Sequence, residues 1–311
     1  MQTHIRLLSQ AILALFFLSL PTAQAQRKPI IDMHLHAHDL FVAPGAPEPL
    51  SGVPAARSTV DLRDRTLAAL KKHKIVLAVT SGPQTESYRA AAPTRIINGL
   101  STTLLFGGGA ELEGLRARFK KDARSQALAE FAPQYLGLPA NAPELEPYFA
   151  LAEELDVIVG MHLGLGPPGA AYAGHPKYRM ASASPLLLED VLVRHPKLRL
   201  YVMHAGWPFQ DEMVGLLYAH PQVYVDIGVI NWVLPRPEFH KYLRRLVEAG
   251  FSKRIMHGSD QMQWPDAIRL SIEAIDSASF LSREQKRDIL YHNAARFLRL
   301  SDAEIANHHK P

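Results

Sequence analysis

The stretch Ile30-Ile-Asp-Met-His-Leu-His36 decides the fold, because it combines the pattern of a buried strand with two closely spaced histidines. Side chains alternate along a strand, so Asp32, His34 and His36 share one face. Two imidazoles on one face of a strand both reach a single ion, and neutral imidazole is a good ligand for zinc and similar metals. A His-x-His pair arises by chance in many proteins with 15 histidines, so its meaning depends on the rest of the chain.

Short runs rich in Val, Ile and Leu recur along the chain and alternate with amphipathic segments, as expected of parallel strands buried on both faces and joined by helices. The predicted strands are Ile30–His36, Ile75–Thr80, Arg95–Leu100, Ala127–Phe131, Val157–His162, Leu198–His204, Val223–Gly228 and Arg254–Asp260. Eight strands separated by helices in ~290 residues predict an α/β fold, a (β/α)8 TIM barrel. A doubly wound open sheet is the structural alternative, and periodicity alone does not decide between the two.

The segments between these strands carry helix and loop signals. Pro237–Ala249 places its apolar residues on one helical face, and Ser282 with Gln285 predicts a capping box. Two longer loops, Asp39–Ala56 after the first strand and Gly164–Ala183 after the fifth, would lie on the catalytic rim of a barrel.

The composition indicates a folded chain and excludes several kinds of chemistry. The chain has 311 residues, 47% of them hydrophobic and 21% charged, which is enough to bury a large core and is unlike a disordered chain. The net charge of +4 is modest for this length, so nucleic acid is not an expected partner. No cysteine is present. This excludes a thiol nucleophile, thiolate ligands and disulfides, and leaves histidines and carboxylates to bind any metal.

Residues 1–25 have the pattern of a signal peptide. Arg6 gives the start a positive charge, and the stretch that follows is apolar apart from two serines and a glutamine. Ala23 and Ala25 fit an A-x-A cleavage site, so we expect cleavage after Ala25 and a single domain over residues 26–311. An uncleaved membrane anchor is less favoured because the apolar stretch is shorter than the ~20 residues that a span needs. The mature protein is therefore expected to be exported, either periplasmic or secreted.

Side chains that bind metals lie at or near the ends of five predicted strands. They are His34, His36, Glu130, His162, His204 and Asp260. A lone histidine in a core strand is more often a hydrogen-bonded structural residue, but a random scatter would not put these residues at the same end of successive strands. In a barrel those ends converge on one pocket.

Five segments, spread over essentially the whole mature chain, resemble the amidohydrolase superfamily in the family's order. They are Ile30–His36, Val159–His162, Arg194–Gly206, Arg254–Asp260 and Asn293–Leu298. Within the superfamily the chain is most similar to the amidohydrolase-related (amidohydrolase 2) branch, which includes aminocarboxymuconate-semialdehyde decarboxylase. The ordered set is far more specific than the His-x-His pair alone.

This resemblance implies a role for each matching position. His34 and His36 match the metal ligands of the first strand, and His162 matches the ligand of the fifth. Asp260 matches the carboxylate of the eighth strand, which binds the metal and handles the proton of the attacking water. His204 matches the histidine of the sixth strand, which in single-metal members is described as an acid/base or polarising group.

The number of ions depends on Glu130. Some superfamily members hold two metals bridged by a carboxylated lysine or a glutamate on the fourth strand, where this chain has Glu130. If Glu130 bridges two ions, His204 becomes a ligand of the second. Otherwise Glu130 hydrogen-bonds a neighbouring ligand or the substrate. We expect one divalent ion, Zn²⁺ in the first place, and keep a second ion open.

A metal held by histidines and carboxylates keeps an open position for water and lowers the pKa of that water from far above the neutral range to about 7. The predicted function is therefore hydrolysis of an amide, lactone or ester bond in a small molecule. A non-oxidative decarboxylase or hydratase on the same scaffold is the alternative. A binding protein without turnover is a third hypothesis, which the intact ligand set disfavours.

Two residues of the second long loop are weaker candidates for substrate binding. They are Tyr178 and Arg179, and the guanidinium of Arg179 is suited to clamp a carboxylate. Besides a small-molecule substrate, no membrane partner is expected after signal cleavage, and a homo-oligomer is left open.

We predict that the exported protein begins at Gln26. The cleavage site requires small residues, so Ala25→Arg should accumulate as the uncleaved precursor, whereas Gln26→Ser, on the other side of the cut, should still be processed. Mass spectrometry of the protein recovered from expressing cells measures both. A wild-type product that retains residues 1–25 would contradict the signal peptide.

Overall fold

The computed structural model describes residues 28–100, 112–122, 126–164 and 166–310, so the predicted signal peptide lies outside the described residues. The strands are β1 Ile30–His36, β2 Ile75–Ser81, β3 Ile96–Gly99, β4 Gln126–Phe131, β5 Ile158–His162, β6 Leu200–Met203, β7 Tyr224–Asp226 and β8 Ile255–Met256. The helices are α1 Thr59–Lys72, α2 Thr85–Ala91, α3 Leu112–Lys121, α4 Glu146–Glu154, α5 Glu189–Arg194, α6 Gln210–Ala219, α7 Ile230–Val233, α8 Arg236–Leu246, α9 Ala267–Asp276, α10 Arg283–Arg287, α11 Asn293–Phe297 and α12 Asp302–His309. Over these ranges, no helix is long and apolar enough to cross a membrane.

The strands form one parallel sheet in which neighbours follow one another in sequence order, from β1 to β8. Hydrogen bonds connect β1 back to the chain that follows β8. The Met33 amide donates to the His257 carbonyl at 2.9 Å. The His36 amide donates to the Gln261 carbonyl at 3.1 Å. A doubly wound sheet has a different strand order and stays open, so the predicted (β/α)8 barrel is confirmed and the open sheet is excluded.

An apolar cluster joins side chains of β1–β6 and β8 to residues of the C-terminal helical segments, among them Tyr291 and Phe297. Within it, the hydroxyl of Tyr201 donates to the carbonyl of Met33 at 2.8 Å, which links β6 to β1. Gly160 on β5 leaves room for this ring, because a Cβ at Gly160 would overlap the Tyr201 hydroxyl. A second, larger cluster packs the helices against the strands. The core therefore fixes the strands and leaves their C-terminal ends to polar residues.

The last three strands end earlier than predicted. β6, β7 and β8 stop before His204, Gly228 and Asp260, which the apolar pattern includes in its strands. For β6 the reason is local backbone geometry, because His204, the residue directly after this strand, has a φ angle of +57°; Asp260, beyond the end of β8, has a φ angle of +48°. This left-handed conformation ends a strand. Both side chains therefore lie on turns at the mouth of the barrel.

Two helix predictions are confirmed. The helix predicted over Pro237–Ala249 corresponds to α8, which buries Phe239, Tyr242, Leu243 and Leu246 on one face. In the predicted capping box, the Gln285 amide donates to Ser282 Oγ at 3.1 Å and the Ser282 amide donates to Gln285 Oε1 at 2.8 Å.

Replacing Tyr201 by Phe should lower the free energy of unfolding by about 1–3 kcal/mol, because the buried Met33 carbonyl loses this donor while the ring still packs. Denaturant-induced unfolding measures the change. Tyr172→Phe is the matched control, since Tyr172 is 96% exposed and its substitution should leave stability nearly unchanged. Equal stability of the two variants would contradict a structural role for the hydrogen bond between β6 and β1.

Candidate metal centre

The structure brings six of the predicted site residues together at the mouth of the barrel. They are His34, His36, Glu130, His162, His204 and Asp260. They form three overlapping groups, and within each group one potential ligand atom per residue lies within 4.8 Å of the others. The four histidines and Asp260 are buried, and Glu130 is partly exposed. We call these six residues the mouth cluster.

One side of the mouth cluster is formed by the two histidines of β1. The Nε2 atoms of His34 and His36 lie 3.2 Å apart. Oδ1 of Asp260 lies 3.0 Å from His36 Nε2 and 3.5 Å from His34 Nε2. Two ring nitrogens and a carboxylate oxygen this close are stable only when a proton or a cation lies between them.

Glu130, on β4, connects this side to the other histidines. Its Oε2 atom lies 3.6 Å from His36 Nε2, whereas its Oε1 atom lies 3.5 Å from His162 Nε2 and 3.9 Å from His204 Nε2. The carboxylate therefore has one oxygen on each side of the cluster. If two ions were bound, Glu130 would be placed to contact both.

A partner behind each ring holds its Nδ1 atom. These partners are Asp226 Oδ2 for His34 at 3.3 Å, Ser81 Oγ for His36 at 3.1 Å, the Gly228 carbonyl for His204 at 3.1 Å, and the Gln134 amide for His162. The carboxylate and carbonyl oxygens only accept, and the Ser81 hydroxyl also accepts, so we assign the proton of His34, His36 and His204 to Nδ1. In these three rings Nε2 then keeps its lone pair for a metal. At His162 the Nε2 group of the Gln134 amide donates, so Nδ1 of this ring accepts.

The carboxylates of the mouth cluster favour positive charge on or between the neighbouring histidines. Burial favours the neutral form of Asp260, but His34 and His36 outweigh burial and lower the pKa of this carboxyl. Burial likewise opposes the charge of Glu130, and the neighbouring histidines, His162 foremost, hold its pKa well below the usual range. Burial disfavours a charged His34, yet Asp260 and Asp226 raise its pKa to about 10. The buried carboxylates thus attract a proton to His34 when no other cation balances them.

The donor set fits a divalent cation. Oδ1 of Asp260 is buried and, among the described residues, accepts no hydrogen bond. A buried carboxylate oxygen without a donor is costly unless a cation binds it. Imidazole nitrogens with carboxylate oxygens are the ligands that zinc and similar metals take in the absence of cysteine. A divalent cation would supply the missing charge and leave the imidazoles neutral.

Several residues of the site escaped sequence reasoning. Asp226 ends β7 and is fully buried behind His34; an acid at the end of an otherwise apolar run was the available signal. Gln134 and Tyr135 lie in a turn after β4, where no periodicity marks them. The Tyr135 hydroxyl lies 3.3 Å from His162 Nε2, and burial together with the charge of Glu130 raises its pKa well above the usual value.

Tyr178 and Arg179, the two weaker candidates, are not part of the mouth cluster. The buried hydroxyl of Tyr178 donates to the Gly164 carbonyl at 2.9 Å and accepts from the Gly166 amide at 2.6 Å. Its ring centroid lies 5.3 Å from that of Tyr135, so Tyr178 borders the site through another side chain. Arg179 is exposed, and its guanidinium donates to carbonyls of its own loop.

Metal analysis of the purified protein should find bound divalent metal in the wild type and a collapse of its content in His34→Ala and Asp260→Ala, because each variant loses a ligand. Glu130→Ala distinguishes a site for one ion from a site for two, since a fall from two bound ions to one would establish a bridged pair. His240→Ala, on α8 and hydrogen-bonded to the Ala274 carbonyl, is the control and should keep its metal. Near-stoichiometric metal in both ligand variants would refute this site.

Comparison with known proteins gives both sequence and structural matches. A family model, Amidohydrolase, matches residues 31–300. Protein fluG of Emericella nidulans is 20% identical over 138 residues, which is 40% of this chain, and the match spans only 16% of the length of that protein.

Three solved structures share the fold at low identity. A probable 2-pyrone-4,6-dicarboxylic acid hydrolase from Acinetobacter baumannii has a TM-score of 0.58 at 14% identity, covering 87% of this chain and 99% of that one. A 2,6-dihydroxybenzoate decarboxylase from Rhizobium has a TM-score of 0.56 at 13% identity, covering 88% and 99%. A 4-oxalomesaconate hydratase from Rhodopseudomonas palustris has a TM-score of 0.55 at 16% identity, covering 89% and 98%. Since the family match extends over most of the chain and includes all six residues of the mouth cluster, the chain belongs to the amidohydrolase family.

Proposed function

We propose that this protein is a metal-dependent hydrolase that cleaves an amide, lactone or ester bond of a small molecule. The observation that carries this proposal is the convergence of ring Nε2 atoms on the undonated Oδ1 of Asp260. His34, His36, His162 and Asp260 would hold the ion, which we propose to be Zn²⁺. A bound divalent cation supplies Lewis acidity and makes water acidic enough to ionise near neutral pH.

Asp260 is the proposed acid/base. Its carboxylate accepts the proton of the attacking water and returns it to the leaving group, which allows one residue to serve both halves of the reaction. The left-handed turn at Asp260 supports this role, because the Asp260 amide donates to the His34 carbonyl at 2.6 Å and thereby fixes the carboxylate beside the ligands.

His204 and Tyr135 are the proposed polarising groups. The ring of His204 is held through Nδ1 on the Gly228 carbonyl, so its Nε2 atom is fixed in the mouth cluster. Burial opposes a charged ring, but Glu130 and Asp260 raise the pKa of His204, which favours a protonated Nε2 that donates. Tyr135 keeps its phenolic proton because burial disfavours the phenolate. Its hydroxyl is therefore a hydrogen-bond donor for the oxygen that gains negative charge in the transition state.

Decarboxylation or hydration on the same scaffold is the second candidate, because the similar solved structures include a decarboxylase and a hydratase. Asp260 or His204 would then deliver a proton to carbon instead of to a leaving group. Hydrolysis incorporates oxygen from water into the product, whereas decarboxylation releases carbon dioxide. A binding protein without turnover is the third candidate, and metal binding without any product would support it.

We also propose that the mature chain acts as an exported protein, periplasmic or secreted, on a small molecule, without a nucleic-acid or membrane partner. The signal-peptide pattern of residues 1–25 and the modest net charge support this. Homo-oligomer formation stays open and is measured by the mass of the protein in solution.

A panel of lactones, esters, amides and aromatic carboxylic acids, assayed in heavy-oxygen water with mass spectrometry, should give a product labelled with heavy oxygen. On the substrate found, Tyr135→Phe should lower kcat by about 100-fold, the usual effect of losing one oxyanion donor. Tyr218→Phe is the control, because Tyr218 is 84% exposed on the outer helix α6. Unchanged kcat in Tyr135→Phe would remove Tyr135 from the mechanism. Unlabelled product with carbon dioxide would establish a decarboxylase instead, and a labelled product formed by adding water to a double bond without cleavage would establish a hydratase.

A further inference from the structure

Asp226 occupies a position that the proposed reaction does not use. It is the last residue of β7 and is fully buried. Its Oδ2 atom lies 3.3 Å from His34 Nδ1, at ion-pair distance. Its Oδ1 atom accepts from the Gly228 amide at 2.6 Å and from the His204 amide at 3.3 Å. One carboxylate thus lies beside the His34 ring and also binds the backbone amide of His204.

The two oxygens of Asp226 differ in what they do. Oδ1 accepts from the backbone amides of His204 and Gly228. The Gly228 carbonyl in turn holds His204 Nδ1, so the same oxygen also helps to fix the His204 ring. Oδ2 accepts no hydrogen bond from the described residues. An aspartate that served the backbone alone would not keep a buried, undonated oxygen beside an imidazole, because burying that charge is costly.

The surrounding backbone leaves just enough space for this carboxylate. A Cβ at Gly228 would lie 3.0 Å from Asp226 Oδ1 and 3.0 Å from His34 Nδ1. A Cβ at Gly258 would lie 2.8 Å from His34 Cβ and 3.1 Å from Asp226 Oδ1. Two glycines, after β7 and after β8, therefore allow Asp226 and the His34 ring to meet.

We propose that Asp226 is a positioning residue of the metal centre, an inference that rests on the proposed metal-dependent function. The negative charge of its Oδ2 atom, 3.3 Å from His34 Nδ1, favours the ring form that carries the proton on Nδ1 and thereby directs the lone pair of Nε2 to the metal. Its Oδ1 atom holds the turn that carries His204. Carboxylates that hold metal-bound histidines in this way raise the basicity of the ring and fix its orientation. Asp226 thus couples a ligand from β1 to the group on the β6 turn.

Asp226→Asn tests the charge with little change in shape, because the amide keeps an oxygen that accepts from Gly228 and His204. Chelator competition on the metal-free purified protein measures the affinity for Zn²⁺ without any substrate. We expect the affinity to fall by about 10–100-fold, as for other partners behind metal-bound histidines.

Asp288→Asn is the matched control. Asp288 is another buried aspartate, and it pairs with Lys253 Nζ at 2.6 Å rather than with a residue of the mouth cluster. A merely structural role for Asp226 predicts that both variants lose thermal stability and both keep their Zn²⁺ affinity. The positioning role predicts a loss of affinity in Asp226→Asn alone.

NMR of the ring nitrogens in the Zn²⁺-loaded wild type tests the same proposal even if Asp226→Asn does not fold. Coordination of His34 through Nε2 with a proton on Nδ1 supports it. Coordination through Nδ1, or equal Zn²⁺ affinity of Asp226→Asn and wild type, overturns the positioning role and leaves the hydrolase proposal standing. A wild type that binds no divalent metal overturns the proposed function and the positioning role together.

Discussion

Carboxylates that face imidazoles at the mouth of the barrel, two of them buried and one partly exposed, are the constraint on which the rest of the site depends. Asp226, Glu130 and Asp260 lie among four histidines. Negative charge removed from water must be balanced, either by protons on the rings or by a cation. The raised pKa of His34, whose ring faces two of these carboxylates, shows how strongly the cluster attracts positive charge. A divalent metal meets the same demand with neutral ligands.

The barrel stabilises this arrangement of charges, because apolar packing elsewhere fixes the backbone. The apolar cluster that contains Tyr201 and the hydrogen bond between Tyr201 and Met33 connect the strands. The turns at His204 and Asp260 have left-handed backbone conformations, which the surrounding structure must hold in place. Asp226 also fixes the turn at His204, because its carboxylate accepts from the His204 amide. The ligand geometry is therefore a property of the whole sheet rather than of any one segment.

The chemistry of the mouth cluster is compatible with more than one reaction on this fold. Activated water, a carboxylate that moves a proton and donors for an oxyanion are useful for hydrolysis and for hydration, and a proton donor beside a metal serves decarboxylation. What selects among these reactions is how a substrate is held over the cluster. The side chains on that rim include Tyr135, Tyr178 and His175, whose rings lie close together.

The sequence by itself determined the fold class and the identity of the mouth cluster, because strand periodicity and the ordered histidine and carboxylate segments are local features of the chain. The sequence wrongly included His204 and Asp260 in the sixth and eighth strands, which end before these residues. Hydrophobicity does not encode the left-handed backbone conformation that both residues adopt. Asp226, Gln134 and Tyr135 gained their meaning only from the tertiary structure. Each acts on a ligand from a different strand or turn, and contacts between distant segments exist only after the barrel has closed.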